Sequence, residues 1–492
     1  MSRLWPEEAL VFATCFISGF VVLAIEIASF RLLAPFFGAS VYVNGIVINT
    51  ILLALALGYL LGGQIADRCS SARMPYFLML MSALYLALAL LVSSPLLHAA
   101  ARLPLVYGAT VTMVAMFFLP MTLLACVPPY FIKQLSCAGP VGMASGRVYA
   151  FSTVGSIAGG VLTTFGLLPF LGSRITFQVA TALLIANAAA GLARSNKQAI
   201  LALLLLPLPF VSVPRTCECL HREESAYNVI TINESNDVLY LKLNDGFGHH
   251  SQTLDPETML SDEYYDSFLL APMMSKARRI LVLGNGAGTS MMQTAHFFPA
   301  AIDGVEIDNR LTALGRRYFG LRTSDSRRIF GGDARVFIAR SGLRYDAIYV
   351  DVYAGGPYIP FHVATKEFYQ QLRRSLASGG VVAINLPFYA EGTMLGDRLL
   401  NTIAGVFPVT YVWNGMAYAM VSPAGIELMK HRLEANAFAP ALKALGTGAL
   451  AGLRPVSYLP EEGVFTDDLA PIEAMTHDLL EHRGDRGRKT MD

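Results

Sequence analysis

Charge is what this chain has least of. Only 15% of its 492 residues are Asp, Glu, Lys or Arg, and its mean hydropathy is +0.48. Soluble globular proteins carry about 25% charged residues, so an ordinary cytosolic enzyme is excluded. The deficit is confined to one half. Residues 1–215 hold 11 Lys or Arg and 4 Asp or Glu, whereas the other 277 residues hold the remaining 58 charges. Cysteine is scarce too: six residues (15, 69, 126, 137, 217 and 219) are too few and too scattered for a disulfide framework or a zinc site. The Cys217-Glu-Cys219 pair reads as two ordinary thiols near the membrane. A net charge of +1 gives no electrostatic reason to expect nucleic acid.

What the first half has instead is apolar runs, at roughly 9–34, 43–66, 76–97, 104–132, 147–171, 175–193 and 199–214. About 20 apolar residues cross a hydrocarbon core, so the first six qualify. The seventh is short and broken by Pro207, Pro209 and Pro214, and either spans or lies re-entrant. The first run is too long for a signal-peptide core and shows no small-x-small cleavage site, so it stays as a helix. Gly58/Gly62 and Gly155/Gly159 lie one turn apart and form small-residue seams that let helices approach closely. Glu26 is an intramembrane acid, which pairs with Arg31 or Arg68 or else serves a pathway or headgroup. With seven spans, the distribution of Lys and Arg puts the C-terminal half outside the cell; with six it stays inside. The second arrangement is favoured, because the chemistry below needs a cytoplasmic co-substrate.

From about residue 217 the texture changes. "YNVITIN" and "VLYLKLND", with Asn, Asp and Gly between them, predict a β-hairpin. From 278 onward strands alternate with helical stretches, which predicts a doubly wound α/β domain with a mostly parallel sheet. After the strand Ile280–Leu283 comes Gly284-Asn285-Gly286-Ala287-Gly288, where glycines let backbone pass close to a ligand. Glu306, 22 residues beyond Gly284 at the end of the next strand, can accept both hydroxyls of a ribose. Asp333, at the end of a third strand, can reach an adenine amino group. A pyrophosphate loop wants glycine where Ser290 stands, so the spacing fits a sulfonium nucleoside better than a dinucleotide.

These motifs are similar to those of the spermidine synthase (polyamine aminopropyltransferase) family, in its multi-pass membrane-fused form. "SAYNVI…LNDGFGHHS" resembles its Y-Q-x-I and L-D-G-x-x-Q segments, "DEYYDSFLLAP" its D-E-x-x-Y-H-E-x-L-x-H-x-P, and "LVLGNGAGT" its G-G-G-D-G loop. "VEID", "GDA" and "YDAIYVDVY" resemble the motifs that follow. "SGFVVLAIEIASFRLL", "GYLLGGQIADR" and "TDDLAPIE" resemble the membrane-fused members.

The resemblance implies an N-terminal α-helical transmembrane bundle of six or seven spans (1–215) and a β-hairpin substrate-side subdomain (216–262). An α/β domain of the S-adenosylmethionine-methyltransferase-like (Rossmann) type (263–482) and a polar tail (483–492) follow. It implies that Gly284, Gly286, Gly288, Glu306, Asp333 and Ala334 bind the nucleoside, and that Asp351 is the general base. Tyr264 would line the amine pocket with Asp245, His249, Asn385, His362 and Asp468.

Each of these substrate-side residues has a plainer role available: Asp245-Gly246 as a turn, Asp468 as solvated loop, Asn385 as a partner of loop backbone, His362 as packing. The sequence departs from the pattern at Ala287, which replaces an Asp that holds the donor's ammonium, and at Ala354, which replaces the second Asp of D-S-S-D. Asn228, His249 and Tyr265 are further substitutions. The co-substrate implied is decarboxylated S-adenosylmethionine or S-adenosylmethionine, with no metal. The partners implied are a small-molecule amine and membrane lipids, with a homodimer allowed, and the location is the inner or plasma membrane. Three readings follow: aminopropyl transfer to an amine, methyl transfer on the same fold, or a non-catalytic polyamine or lipid-amine transporter or sensor.

Overall fold

The computed structural model describes residues 6–38, 40–69, 71–137, 139–194, 203–211, 219–244, 248–353, 358–386, 392–476 and 478–479. The chain divides into two compact units, Met1–Cys217 and Glu218–Asp492.

Among the described residues of the first unit, five helices are long and apolar enough to cross a membrane: Glu8–Phe37, Val41–Arg68, Met74–Ala100, Leu105–Ser136 and Val141–Ala193. The last is 53 residues long and contains two of the expected spans. Gly172, at φ 77°, breaks it three residues after Pro169. Of the expected seventh span, Leu203–Val211 is described, and it forms short 3-10 turns rather than a helix able to cross. The proline spacing explains this, because each proline removes an amide donor.

Both glycine seams are contact surfaces. A Cβ on Gly155 or Gly159 would lie 2.0 Å from the Phe16 carbonyl oxygen or 2.3 Å from that of Phe20. One on Gly58 would lie 2.3 Å from the Thr122 carbonyl oxygen. Backbone thus packs on backbone between Pro6–Phe37 and Val141–Leu162, with Gly19 answering from the opposite helix against Ser152. The Ser40 hydroxyl caps Val41–Arg68 through the Val43 amide.

The second unit opens with a four-stranded antiparallel sheet of β1 (His221–Glu224), β2 (Val229–Ser235), β3 (Val238–Leu243) and β4 (Ser251–Gln252). Asn236 and Asp237, at φ 52° and 63°, make the two-residue turn that a right-twisted hairpin needs. The apolar face of this sheet (Ile230, Ile232, Leu241, Leu243) packs on Ala287 and on Leu311, Leu314 and Phe319.

The main sheet contains β5 (Arg279–Leu283), β6 (Ala301–Glu306), β7 (Arg327–Gly331), β8 (Tyr345–Val350), β9 (Leu376–Asn385), β10 (Val409–Trp413), β11 (Met416–Met420) and β12 (Arg454–Val456). Its order is β12-β10-β11-β9-β8-β5-β6-β7. Strands β5 to β9 are parallel, whereas β11 pairs antiparallel with β9, and β10 with both β11 and β12. The sheet is therefore mixed: the parallel strands β5 to β9 agree with the mostly parallel sheet expected, and β10, β11 and β12 add an antiparallel edge. Asn414 and Gly415, both at positive φ, close the tight β10–β11 hairpin that inserts this edge. The strand order reverses between β5 and β8, which is where open α/β sheets hold ligands, beyond the strands' carboxyl ends. The strand order and the parallel crossovers are those of a Rossmann-like α/β fold.

Replacing Gly155 by Leu would force the two seam helices apart. Overpacking costs roughly 1–3 kcal/mol, so Gly155→Leu is expected to lower the thermal midpoint in detergent, whereas Gly166→Leu, where nothing lies within 4 Å, leaves it unchanged.

Candidate active site

The loop after β5 is shaped by Gly284, Gly286 and Gly288, all at positive φ (80°, 53° and 97°). Gly284 also passes so close to the end of β8 that a Cβ there would lie 2.0 Å from the Asp351 carbonyl oxygen. Every amide from Gly284 to Gly288 is already paired. Gly284 and Asn285 donate to the Val305 carbonyl at 3.0 Å, and Gly288 donates to that of Asn285 at 2.9 Å. Gly286 donates to Glu306 Oε2 at 2.7 Å, and Ala287 to Ser251 Oγ at 2.9 Å. A pyrophosphate cradle needs free amides, and this loop has none to offer.

Glu306, 6% exposed at the end of β6, also accepts from the Asp308 amide at 3.0 Å. Burial pushes its carboxyl up to about 7, against the lowering effect of the two amides. Asp333 caps the helix Ala334–Arg340 by accepting from the Val336 amide at 2.9 Å, and its other oxygen faces His362 Nε2 at 3.3 Å. Ala334 is buried as the first residue of that helix. The Gly332 amide donates to the Glu306 carbonyl at 3.0 Å, which sets the Asp333 turn beside the end of β6.

Asp351, half-buried just after β8, is held by two neutral donors. Asn385 Nδ2 donates to Oδ1 at 2.8 Å and the Tyr264 hydroxyl to Oδ2 at 3.1 Å. Burial pushes the Asp351 carboxyl up to about 6, although both hydrogen bonds favour its charged form. Asn385 is 4% exposed, and its Oδ1 has no hydrogen-bond partner among the described residues; the amide thus presents an unused acceptor beside Asp351. The Tyr264 ring lies 4.0 Å from that of Tyr265, whose hydroxyl donates to the His249 carbonyl at 3.1 Å. Burial raises both phenols, so they remain neutral donors.

The structure separates some neighbours that the sequence does not. Asp245 and Ala354 lie outside the described residues. His249 stacks against Tyr240 at 4.6 Å and lies 3.5 Å from Glu263. Gln252, three residues on and not singled out in the sequence, is 4% exposed with an unpartnered Oε1. Its backbone is bonded both ways to the Thr289 hydroxyl, at 2.9 and 2.7 Å. Asp468 is exposed, and Asp467 is the residue that pairs with Arg335. Cys219 is disulfide-bonded, a correction to the reading of it as an ordinary thiol.

Asp308 was missed altogether. It caps the helix Asn309–Tyr318 and accepts from the Ser225 hydroxyl at 2.5 Å and from Asn228 Nδ2 at 3.4 Å, so it latches the small sheet to the end of β6. Its only signal in the sequence is an Asp just ahead of a helical stretch. Among the described residues, no group of three His, Cys, Asp or Glu is placed to hold a metal ion.

Fold and site together bring the acids Glu306, Asp333 and Asp351 to the carboxyl ends of parallel strands, at the point where the strand order reverses. No family model matches the chain. It is 35% identical over 187 residues to a probable polyamine aminopropyl transferase of Bifidobacterium longum, covering 37% of this chain and 41% of that one. It is 34% identical over 175 residues to the polyamine aminopropyltransferase of Vibrio vulnificus, covering 34% and 58%. A probable spermidine synthase structure from Corynebacterium glutamicum aligns with 43% of this chain and 86% of its own, at 19% identity and a TM-score of 0.35. Over about a third of its length the chain is thus similar to proteins named polyamine aminopropyltransferases. The matches span about half the length of those two relatives.

Asp308→Ala would remove the acceptor that the Ser225 hydroxyl and Asn228 Nδ2 share, at roughly 1–3 kcal/mol. Proteolysis of the β1–β4 region is expected to accelerate in this variant while the main sheet stays protected.

Proposed function

We propose that the protein is a membrane-integrated enzyme that transfers an aminopropyl group from decarboxylated S-adenosylmethionine to an amine. The observation that carries this reading is that, among the described residues, Asp351 pairs with two uncharged donors, Asn385 and Tyr264. A half-buried carboxylate without a cationic partner favours a positively charged ligand, and this reaction brings two, a sulfonium and an ammonium. Glu306 and Asp333 hold ribose and base. The absence of free loop amides accords with a nucleoside that carries no phosphate.

The acceptor amine has an intrinsic pKa near about 10 and arrives protonated. Asp351 takes that proton, with a carboxyl raised to about 6, and is therefore a better base than an ordinary aspartate. The amine nitrogen then displaces the thioether: a C–N bond forms, the C–S bond breaks, and its electron pair leaves on sulfur as neutral methylthioadenosine. Asn385 Oδ1 accepts an N–H of the amine and aligns its lone pair with the carbon. Gly284, Gly286 and Gly288 let the nucleoside approach the backbone, and Tyr264 lines the amine side with His249 and Asp245. On this reading the enzyme lies in the inner or plasma membrane with its catalytic unit in the cytoplasm and membrane lipids around the first unit, which the apolar helices of that unit support.

Methyl transfer from S-adenosylmethionine is the second reading. Ala287 favours it, because this residue is fully buried among apolar side chains and supplies no anion for a donor ammonium.

Asp351→Asn is expected to retain methylthioadenosine binding and lose amine-dependent turnover by about 10²–10⁴-fold; a variant that keeps turning over removes Asp351 as the base. In the wild type, kcat/KM carries a limb centred near pH 6 and rises with pH as Asp351 ionises. Tyr264→Phe, by deleting a bond that favours the carboxylate, moves this limb to higher pH.

Glu306 predicts a different pH dependence for binding itself. Ribose hydroxyls need the ionised acceptor, so nucleoside affinity is full above about pH 7. Below that it weakens by up to about tenfold per pH unit. Glu306→Gln flattens the profile and Glu306→Ala abolishes binding, both read by calorimetry.

A further inference from the structure

Asp333 does not stand free at its strand end. One of its oxygens is committed to the Val336 amide and the other faces His362 Nε2. An ionised carboxylate only accepts hydrogen bonds, so Nε2 carries the hydrogen. His362 is in turn held from behind, because its carbonyl accepts from Arg335 Nη1 at 2.7 Å. Arg335 makes a two-point pair with Asp467, Nη1 to Oδ1 at 2.8 Å and Nη2 to Oδ2 at 2.5 Å. Asp467 also accepts from the Thr365 hydroxyl at 2.7 Å, and its amide donates to Glu367 at 3.0 Å. Two segments far apart in sequence, one around His362 and one at Asp467, therefore converge on Arg335, the second residue of the helix that Asp333 caps.

Stability is a weak reason for this convergence. The side chains of His362, Asp333 and Asp467 are 36%, 33% and 40% exposed, and ion pairs this accessible contribute only about 0–1 kcal/mol. Orientation is the stronger reason. With Oδ1 tied to the helix cap and Oδ2 turned by the imidazole, the plane of the carboxylate is fixed.

We propose that His362, held by Arg335 and Asp467, is the positioning residue that aims Asp333 at the amino group of a nucleobase and so sets base selectivity. The inference rests on the nucleoside reading of the site. A 6-amino purine offers an N–H to the fixed oxygen, whereas a 6-oxo purine offers a carbonyl, which two acceptors facing each other reject.

The test is calorimetric binding of methylthioadenosine and of its 6-oxo counterpart, methylthioinosine, to the full-length protein. The wild type should prefer the amino form. His362→Phe keeps a flat ring without the donor, so affinity for the amino form should fall about tenfold, about 1.4 kcal/mol, with the 6-oxo form unchanged. His362→Gln retains an N–H and restores most of the preference. Asp467→Asn, a change at an exposed position, shifts selectivity in the same direction by a smaller factor. A wild type without preference, or equal losses for both ligands in His362→Phe and Asp467→Asn, overturns the proposal. A wild type that binds neither ligand overturns the nucleoside reading itself, and does so before any variant is made.

Discussion

The constraint on which the site depends is the near-contact of two pieces of backbone, Gly284 after β5 and Asp351 after β8. The amide of Asp351 donates to the Leu283 carbonyl at 2.9 Å, and the space where a side chain at 284 would stand is filled by the Asp351 carbonyl. Only a residue without a Cβ, in a left-handed conformation, allows this crossing. It falls where the strand order reverses, so the ends of β6, β8 and β9 are brought around one point. Glu306, Asp351 and Asn385 each stand on one of those ends. A larger residue at 284 would part β5 from β8 and dismantle the site, although none of the chemistry is performed by Gly284.

Around that crossing the two acids are treated alike and used differently. Both are shielded from water, which raises their carboxyls to about 7 and about 6. Glu306 is bound by backbone amides, which point it at whatever lies against the loop. Asp351 is bound by a phenol and a side-chain amide, which leave a lone pair and a neighbouring carbonyl directed outward. In the proposed reaction the first is the receptor for hydroxyls and the second receives the proton. The small β1–β4 sheet, latched through Asp308, completes the wall on the side of Tyr264 and Tyr265.

The elements legible in the sequence were those written as local patterns. Glycines at alternate positions after an apolar strand, and acids at successive strand ends, mark Gly284–Gly288, Glu306, Asp333 and Asp351 because strand ends in a doubly wound sheet share one edge. The glycine seams were legible because helical spacing puts them on one face. What was not legible depends on register and on the third dimension. Gln252 lies in the short edge strand β4 and is buried, whereas His249 precedes that strand and turns toward Tyr240 and Glu263. Asp467 and Asp468 differ only in which one a loop directs at Arg335. Asp308 reads as a helix cap, and its second task, holding Ser225 and Asn228, links residues more than 80 positions apart. The antiparallel edge hid behind the rhythm of strand and helix, because β10 and β11 differ from the parallel strands only in a tight turn between them.

On the proposed reading, the chemistry is set by one nucleoside site in the second unit and the location by the apolar helices of the first. The most direct test of the central claim is mass spectrometry of the thionucleoside released by the purified full-length protein. The protein would be offered S-adenosylmethionine and its decarboxylated form separately, each with a mixed amine pool. The account predicts methylthioadenosine from the decarboxylated donor, formed only when amine is present. S-adenosylhomocysteine from the intact donor, or no thionucleoside from either, would contradict it.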